Sequence, residues 1–382
     1  MLQEPKPLET LDTPSLILDE AKLQANVKRM RTHIEGLGAK FRPHLKSAKS
    51  REIARIAMNG PAGPAMVSTL HEAEYFAESG VRDLIYGVGI APAKLPRVSA
   101  IRAGGVDLAI ILDSIEQAEA VASHVGQTGE AIPVLIEVDA DGHRSGVQPD
   151  DAATLVAIGE NLTRGGATLR GVLLHAGDSY ALTNPAAIAH VAEAERAAAV
   201  TAAEVLRAAG LPCPIVSVGS TPTARYTRDL TGVTEVRAGV FMLGDLYQAG
   251  VSSVDVGDIA VSVLATIIGH QRAKGWIMTD AGWMAMSHDR GTAKQAVDQG
   301  YGVVCDLSGT PYPGLIVAGV NQEHGILAIR KGEVGSLPYL PIGARVRILP
   351  NHACATSAHY DRYHVLNAAG QVGAVWSRTN GW

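Results

Sequence analysis

Short apolar runs alternate with helical patterns through the first two thirds of the chain, and this alternation limits the possible folds most strongly. Eight strand candidates lie at residues 39–43, 64–68, 83–87, 106–112, 132–138, 169–174, 214–218 and 234–237. Helical patterns follow most of them, for example at residues 47–59 and 184–210. Strands that alternate with helices over roughly 200 to 250 residues predict a parallel (β/α)8 barrel of the TIM type.

The sequence changes character after Gly250. Runs typical of β-strands, separated by Gly and Pro, lie at residues 258–269, 276–280, 302–307, 314–318, 325–330, 344–349 and 363–366. They predict a C-terminal all-β domain over residues 251–382, and the apolar run 15–19 allows the N-terminal segment 1–19 to pair into it. The barrel would then cover residues 20–250, and a chain of 382 residues is long enough for two domains.

Charge and composition limit the partners. The net charge is −5 and the basic residues are dispersed, so no basic stripe is available for nucleic acid. Three scattered cysteines do not suffice for a disulfide framework, which favours a reducing compartment. The N-terminus lacks the apolar core of a signal peptide, and no apolar run approaches the roughly 18 to 20 residues of a membrane span. We expect a cytoplasmic, soluble protein that acts on a small molecule, without nucleic-acid or membrane partners.

Lys46 follows the first barrel strand candidate. Active sites of such barrels are built at the C-terminal ends of the strands, where the loop 139–147, His175 and Tyr180 also fall. We therefore expect these residues to converge at one mouth. Taken alone, Lys46 is better explained as a solvated surface residue, since lysines are mostly exposed. His44, two residues earlier, shares its strand face, either as a site residue or as a satisfied histidine.

The turn at residues 219–222 is a candidate phosphate cradle. Glycine allows close backbone approach, the hydroxyls of Ser220 and Thr221 can donate, and Thr221 is predicted to cap a helix. Backbone amides of Gly239 and Val240 would complete the cradle, although a plain strand-to-helix turn explains the segment equally well. A lysine and a phosphate cradle at one mouth point to pyridoxal phosphate, whose aldehyde forms a Schiff base with lysine.

His352 and Cys354 are the distinctive pair of the β domain. If the segment stays extended, both side chains point the same way, and imidazole with thiolate suits zinc. Two protein ligands leave positions open for water or substrate, as catalytic metal sites require. A structural role explains a His-x-Cys pair as well. His359 and His364 are interpreted as surface or packing residues.

With these residues assembled, the chain resembles the metal-activated pyridoxal phosphate enzymes of the alanine-racemase fold (fold type III), the D-serine dehydratase and D-threonine aldolase family. The resemblance covers almost the whole chain. It rests on Arg42-Pro43-His44 with Lys46 and on the segments 141–147, 175–180, 219–223, 322–325 and 350–354.

The resemblance implies roles for single residues. Lys46 would bind the cofactor as a Schiff base, Arg144 would approach its phenolic oxygen, and Tyr180 would lie near the ring nitrogen, with Arg237 as the alternative partner. The implied cofactor-binding residues are Lys46, His44, Arg144, His175, Tyr180, Ser220, Thr221, Gly239 and Val240. His352 and Cys354 would hold a divalent metal, either zinc or manganese, with magnesium and cobalt as further options. A homodimer is implied as well.

The resemblance also implies a lyase for D-3-hydroxy amino acids. Lys46 would take the α proton and the metal would bind the β-hydroxyl as a Lewis acid. Loss of that hydroxyl turns D-serine or D-threo-3-hydroxyaspartate into a keto acid and ammonia, whereas aldol cleavage gives glycine and an aldehyde. Cys354 stands where the aldolases carry an aspartate, which favours dehydration. A non-catalytic pyridoxal phosphate carrier is a further alternative, but such carriers resemble the first domain alone.

Overall fold

The computed structural model describes residues 5–58, 60–142 and 144–382. The chain divides into two compact units. The barrel unit consists of Lys28–Lys49, Ile53–Gly239 and Gly381–Trp382. The β unit consists of Ser50–Glu52, Val240–Asn380 and the described residues of Met1–Val27.

Eight parallel strands form the barrel sheet. The chain begins with β1 (Ser15–Asp19) and α1 (Glu20–Gly36), after which the barrel strands are β2 (Lys40–Pro43), β3 (Ala65–Val67), β4 (Asp83–Gly89), β5 (Asp107–Leu112), β6 (Pro133–Val138), β7 (Thr168–Leu174), β8 (Ile215–Val218) and β9 (Glu235–Ala238). They are hydrogen-bonded in the order β2-β9-β8-β7-β6-β5-β4-β3, and a parallel bridge between His44 and Met66 joins the two ends of this order. The predicted (β/α)8 barrel is confirmed.

The barrel helices follow the strands in sequence. They are α2 (Arg51–Met58), α3 (Leu70–Glu78), α4 (Leu95–Ala103), α5 (Ile115–Thr128), α6 (Ala152–Arg164), α7 (Pro185–Ala208) and α8 (Thr221–Tyr226). The helix predicted at 47–59 starts later, at Arg51, because Lys49 adopts a left-handed backbone with φ of 49°. Its predicted last residue, Asn59, lies outside the described residues.

One side of the barrel interior is apolar and the other is ionic. The apolar side is a buried cluster of Met66, Ile85, Ala109, Ile111, Leu135 and Leu173. On the other side, Nε of Arg42 donates to Oε2 of Glu235 at 2.9 Å. Ser217 Oγ donates to Glu235 Oε1 at 2.7 Å and accepts from Nε of Arg237 at 2.9 Å. The buried charges of Arg42 on β2 and Glu235 on β9 are therefore paired, and Ser217 on β8 connects Glu235 to Arg237.

Replacing Arg42 with methionine is expected to destabilise the barrel strongly. The Glu235 carboxylate is 4% exposed and would lose its cationic partner, a change that costs about 3 to 5 kcal/mol at buried ion pairs. Urea unfolding measures the change in the free energy of unfolding. Arg164→Met is the control, because its pair with Glu160 is exposed and contributes at most about 1 kcal/mol. Equal losses in both variants would contradict this interpretation.

The β unit is built on a nine-stranded, mainly antiparallel sheet. Its further strands are β10 (Val261–Gln271), β11 (Trp276–Thr279), β12 (Gly302–Cys305), β13 (Pro311–Val320), β14 (Gly325–Ile329), β15 (Arg345–Pro350), β16 (Arg362–Leu366) and β17 (Val372–Ser377). The strand order is β11-β14-β13-β12-β15-β10-β1-β16-β17. The N-terminal β1 runs antiparallel to β10 and parallel to β16.

Short helices complete the two units. Three α-helices of the β unit are α9 (Leu246–Gly250), α10 (Trp283–Met286) and α11 (Ala353–Ser357). Short 3-10 turns lie at Leu8–Thr10, Leu45–Ser47, Pro92–Lys94, Gly177–Ala181, Val240–Met242, Val256–Asp258, Arg272–Lys274 and Gly291–Lys294. In the part of the chain that the structure describes, no helix has both the length and the apolar character needed to cross a bilayer.

Candidate active site

Lys46 lies in the turn Leu45–Ser47, directly after β2 and at the carboxyl end of the first barrel strand. Lys46 is exposed. The loop that carries it is nevertheless held in place by the contacts of a neighbouring lysine. Lys49 Nζ lies 3.2 Å from Oε1 of the buried Glu72, whose Oε2 accepts from the N–H of Ser68 at 2.8 Å. One buried carboxylate thus ties the loop after β2 to the loop after β3.

Electrostatic interactions show which predicted residues meet at this mouth. Burial lowers the pKa of His44 well below its ordinary value, and the charges of Lys46 and Arg237 lower it further. Burial and then the charge of Arg144 lower the pKa of His175 to about 3. The charges of Arg237 and Lys46 also lower the pKa of His175. The structure therefore brings these five predicted residues together.

His44 has one ring nitrogen available. Its Nε2 lies 3.3 Å from Oγ of Ser68. Its Nδ1 is buried and has no hydrogen-bond partner among the described residues. Because the lowered pKa keeps the ring neutral, His44 places an uncharged imidazole beside Lys46.

His175 is held in one orientation. Its Nδ1 lies 2.9 Å from the carbonyl oxygen of Gly219, and since a carbonyl only accepts, the proton is assigned to Nδ1. Its ring centroid lies 6.0 Å from that of Tyr180. A neutral imidazole, fixed between the loops after β7 and β8, therefore lines the mouth.

The start of α8 differs by one residue from the prediction, because Ser220 and not Thr221 is the N-cap. Ser220 Oγ accepts from the N–H of Thr223 at 3.2 Å, and the N–H of Ser220 donates to Thr223 Oγ1 at 2.9 Å. This reciprocal pair occupies the polar groups of Ser220. The hydroxyl of Ser220 is thus engaged in capping, which the Ser-x-x-Thr spacing would have indicated.

The fit of pyridoxal phosphate to this turn rests on Thr221. Its Oγ1 is buried and has no hydrogen-bond partner within residues 5–58, 60–142 and 144–382, and its N–H donates to Oη of Tyr180 at 3.4 Å. At Gly219 the φ is 130°, and a Cβ would lie 2.3 Å from the carbonyl oxygen of Arg237. A buried donor on a glycine turn is what a phosphate group requires.

Gly239 and Val240 follow the last barrel strand. A Cβ at Gly239 would lie 3.1 Å from the carbonyl oxygen of His44, so the chain passes close to the loop of Lys46 here. Val240 begins the 3-10 turn Val240–Met242.

Arg144, which was predicted from the sequence, forms a pair at the mouth with Glu137, which was not. Arg144 is exposed, and its Nη2 lies 3.8 Å from Oε1 of Glu137. Burial raises the pKa of Glu137. The loop of Arg144 is held by the N–H of Gly146, which donates to Asp113 Oδ2 at 2.8 Å. An acidic residue inside the apolar run of β6 was the available signal for Glu137; His143 lies outside the described residues.

Arg237 is held inside the barrel. Its Nε donates to Ser217 Oγ at 2.9 Å, and its Nη2 donates to the carbonyl oxygen of Leu174, at the end of β7. Burial lowers the pKa of Arg237 to about 10. The guanidinium is thus fixed near the mouth, whereas Tyr180 places its hydroxyl against Thr221.

In the β unit, His352 and Cys354 meet in a geometry that differs from the expected one. The extended segment assumed from the sequence is wrong, because α11 begins at Ala353 and Cys354 lies in its first turn. The carboxylate of Asp245 accepts from the N–H of Ala353 at 2.8 Å and so favours the helix start there. A hydrogen bond between His352 and Cys354 nevertheless brings the two side chains together.

Asp289 orients His352, and this contact could not be predicted from the sequence because the two residues lie 63 positions apart. Its Oδ2 is 2.6 Å from Nδ1 of His352, and an outer hydrogen bond of this kind fixes the orientation of the histidine ring. Burial lowers the pKa of His352, but Asp289 and Cys354 outweigh it and raise the pKa to about 11.

The donor set fits a metal with open positions. Among the described residues, no group of three or more His, Cys, Asp or Glu side chains is arranged to hold a metal ion. His352 and Cys354 would offer a metal one nitrogen and one sulfur donor, a combination that suits zinc, and the remaining positions would be left to water or substrate.

A (β/α)8 barrel with a second, antiparallel β unit is the architecture of the alanine-racemase fold. A solved alanine racemase of Clostridium difficile 630 shares this fold with a TM-score of 0.68 at 15% identity, over 96% of this chain and 99% of that one. The alanine racemase N-terminal domain family matches residues 18–247, and the putative serine dehydratase domain matches residues 260–366. The chain belongs to the alanine racemase N-terminal domain family.

Relatives match over nearly the whole chain. D-threo-3-hydroxyaspartate dehydratase of Delftia sp. (strain HT23) is 51% identical over 98% of this chain and 99% of its own, and its solved structure superposes with a TM-score of 0.96 over 99% and 100%. D-serine dehydratase of Dictyostelium discoideum is 27% identical over 96% of both chains. D-threonine aldolase of Arthrobacter sp. is 28% identical over 97% of this chain and 93% of its own.

Proposed function

We propose that the protein is a pyridoxal phosphate- and divalent-metal-dependent lyase, which dehydrates D-threo-3-hydroxyaspartate or D-serine to a keto acid and ammonia. The observation that carries this proposal is the 51% identity to D-threo-3-hydroxyaspartate dehydratase over 98% of the chain. D-serine dehydratase from a second organism supports the same reaction type.

The spacing of His352 and Cys354 also supports the proposal. Two solved variants of D-threo-3-hydroxyaspartate dehydratase replace a histidine and a cysteine two positions apart, and the cysteine variant is described as metal-free. His352 and Cys354 have the same order and the same spacing. We infer that these side chains bind the metal, with zinc or manganese as the first choices.

The residues of the mouth have separate tasks in this proposal. Pyridoxal phosphate, when bound, supplies the electron sink for the charge that develops at the α carbon of an amino acid. Lys46 would hold the cofactor through its Nζ, and the same amine, once the substrate's amino group has displaced it, would take the α proton as general base. The hydroxyl of Thr221 and the turn at Gly219 would receive the phosphate, and Arg144 would interact with the phenolic oxygen. Neutral His44 and His175 line the mouth without adding charge.

The proposed metal ligands and the family match of the β unit distinguish dehydration from aldol cleavage and from a non-catalytic carrier. A divalent metal on His352 and Cys354 supplies a Lewis acid for the departure of a hydroxyl group. The family resemblance implies that Cys354 stands where aldolases carry an aspartate, and this favours dehydration over aldol cleavage. The match of residues 260–366 to a serine dehydratase domain argues against a carrier, which would need the barrel alone.

Three further properties belong to the proposal. We expect the barrel domain to extend over residues 20–250, and the β domain to comprise residues 251–382 with residues 1–19. We also expect a homodimer. The expected location is the cytoplasm.

The substrate is tested by a comparison of rates. Holoprotein with zinc or manganese is given D-threo-3-hydroxyaspartate, D-serine or D-threonine, and keto acid and ammonia are measured. We expect the highest kcat/KM for D-threo-3-hydroxyaspartate, by about tenfold or more, because the relative with 51% identity is named for this substrate. Cofactor binding without turnover of any of the three substrates would favour the carrier.

A further inference from the structure

Helix α7 places a buried glutamate between two loops of the barrel mouth. Glu195 is 3% exposed, and burial raises the pKa of its carboxyl group. Its Oε1 accepts two backbone hydrogen bonds, from the N–H of Ala176 at 2.9 Å and from the N–H of Gly219 at 3.0 Å. The hydroxyl of Thr223 provides a further hydrogen bond to the same carboxyl group.

The two N–H groups belong to the loops that carry candidate cofactor residues. Ala176 directly follows His175 after β7, and Gly219 directly precedes Ser220 after β8. A single oxygen atom therefore fixes the distance between these loops. Position 219 requires glycine, because its φ is 130° and a Cβ there would lie 2.3 Å from the carbonyl oxygen of Arg237.

We propose that Glu195 is a positioning residue of the cofactor site, which holds the loops after β7 and β8 in the arrangement that receives pyridoxal phosphate. This inference rests on the proposed function for its ligand, and on the two hydrogen bonds for its geometry. Glu195 acts through the backbone and through His175 and Thr221, and it takes no part in the reaction itself.

Substitutions of Glu195 can distinguish its role as a hydrogen-bond acceptor from the effect of its negative charge. A glutamine at position 195 keeps one oxygen for both N–H groups, whereas leucine leaves two buried donors without an acceptor. The aspartate side chain is one methylene shorter and does not reach both donors. Glu193 offers a matched control, because it lies on the same helix with its side chain 51% exposed and pairs with Arg196.

The test measures binding of pyridoxal phosphate to the apoprotein by visible circular dichroism. We expect Glu195→Gln to bind within about threefold of the wild type and Glu195→Leu to bind about tenfold more weakly or worse, since each buried donor without an acceptor costs about that much. Glu193→Gln is expected to match the wild type. A folded Glu195→Leu variant with unchanged affinity and an unchanged dichroism spectrum overturns the proposal.

A second variant and a second measurement keep the proposal testable if Glu195→Leu does not fold. If Glu195→Leu does not fold, the affinity of Glu195→Asp for pyridoxal phosphate is measured instead. An affinity equal to that of the wild type also overturns the proposal. We expect the amide hydrogens of Ala176 and Gly219 to exchange about tenfold faster than in the wild type. This is measured in whichever folded variant of Glu195 binds pyridoxal phosphate more weakly. Failure of the wild type to bind pyridoxal phosphate would remove the proposed function, whereas equal binding in all variants would remove the role of Glu195 alone.

Discussion

Replacing Lys46 with alanine is expected to abolish the visible absorbance of lysine-bound pyridoxal phosphate and to lower kcat by at least about 10³-fold. The lysine both holds the cofactor and moves the α proton in the proposed reaction, so no other side chain replaces both tasks. Spectra of the variant, reconstituted with excess pyridoxal phosphate, and its initial rates measure the two effects.

Lys40 provides the matched control for Lys46. It is exposed and lies at the opposite end of the same strand, β2, so Lys40→Ala removes the same charge away from the mouth. We expect its spectrum and its rates to match the wild type. A Lys46→Ala protein that keeps the visible absorbance would show that another lysine binds the cofactor.

Replacing His352 or Cys354 with alanine is expected to lower metal affinity by more than about 100-fold and to remove metal-dependent activity. The loss exceeds the 10- to 100-fold that is typical when only an outer hydrogen-bond partner of a metal ligand is removed. Asp289→Asn removes such a partner and is expected to fall inside that range, because the Oδ2 contact to His352 Nδ1 at 2.6 Å orients the ring. Titration with zinc against a chromophoric chelator measures the affinities.

His359→Ala is the control for the metal pair. His359 is exposed and lies just beyond α11, in the same segment of the chain. Its replacement is expected to leave metal affinity and activity unchanged. Zinc affinity that is equal in the wild type and in both ligand variants would place the metal elsewhere.

Local sequence patterns were sufficient to predict the barrel and the β unit. All eight barrel strands begin or end within a few residues of the predicted runs, since buried parallel strands are continuous apolar segments. The strand β17 was missed because its sequence, Val-Gly-Ala-Val-Trp-Ser, contains two residues with low β propensity.

Contacts between distant residues could not be predicted in the same way. Arg42 and Glu235 are 193 residues apart, and no local pattern pairs them in the barrel interior. The start of α11 depends on Asp245, 108 residues before Ala353, so the backbone at Cys354 was predicted as extended although it is helical. Glu195 is likewise invisible in the sequence, since it lies in a regular helix whose exposed positions also carry glutamate.

The product of the reaction with D-threo-3-hydroxyaspartate tests the central claim most directly. Holoprotein with added zinc or manganese is incubated with this substrate, and nuclear magnetic resonance identifies and counts the products. The proposed dehydration predicts oxaloacetate and ammonia in equal amounts, and no product after chelation of the metal. Glycine together with glyoxylate in equal amounts would contradict the dehydration and establish aldol cleavage instead.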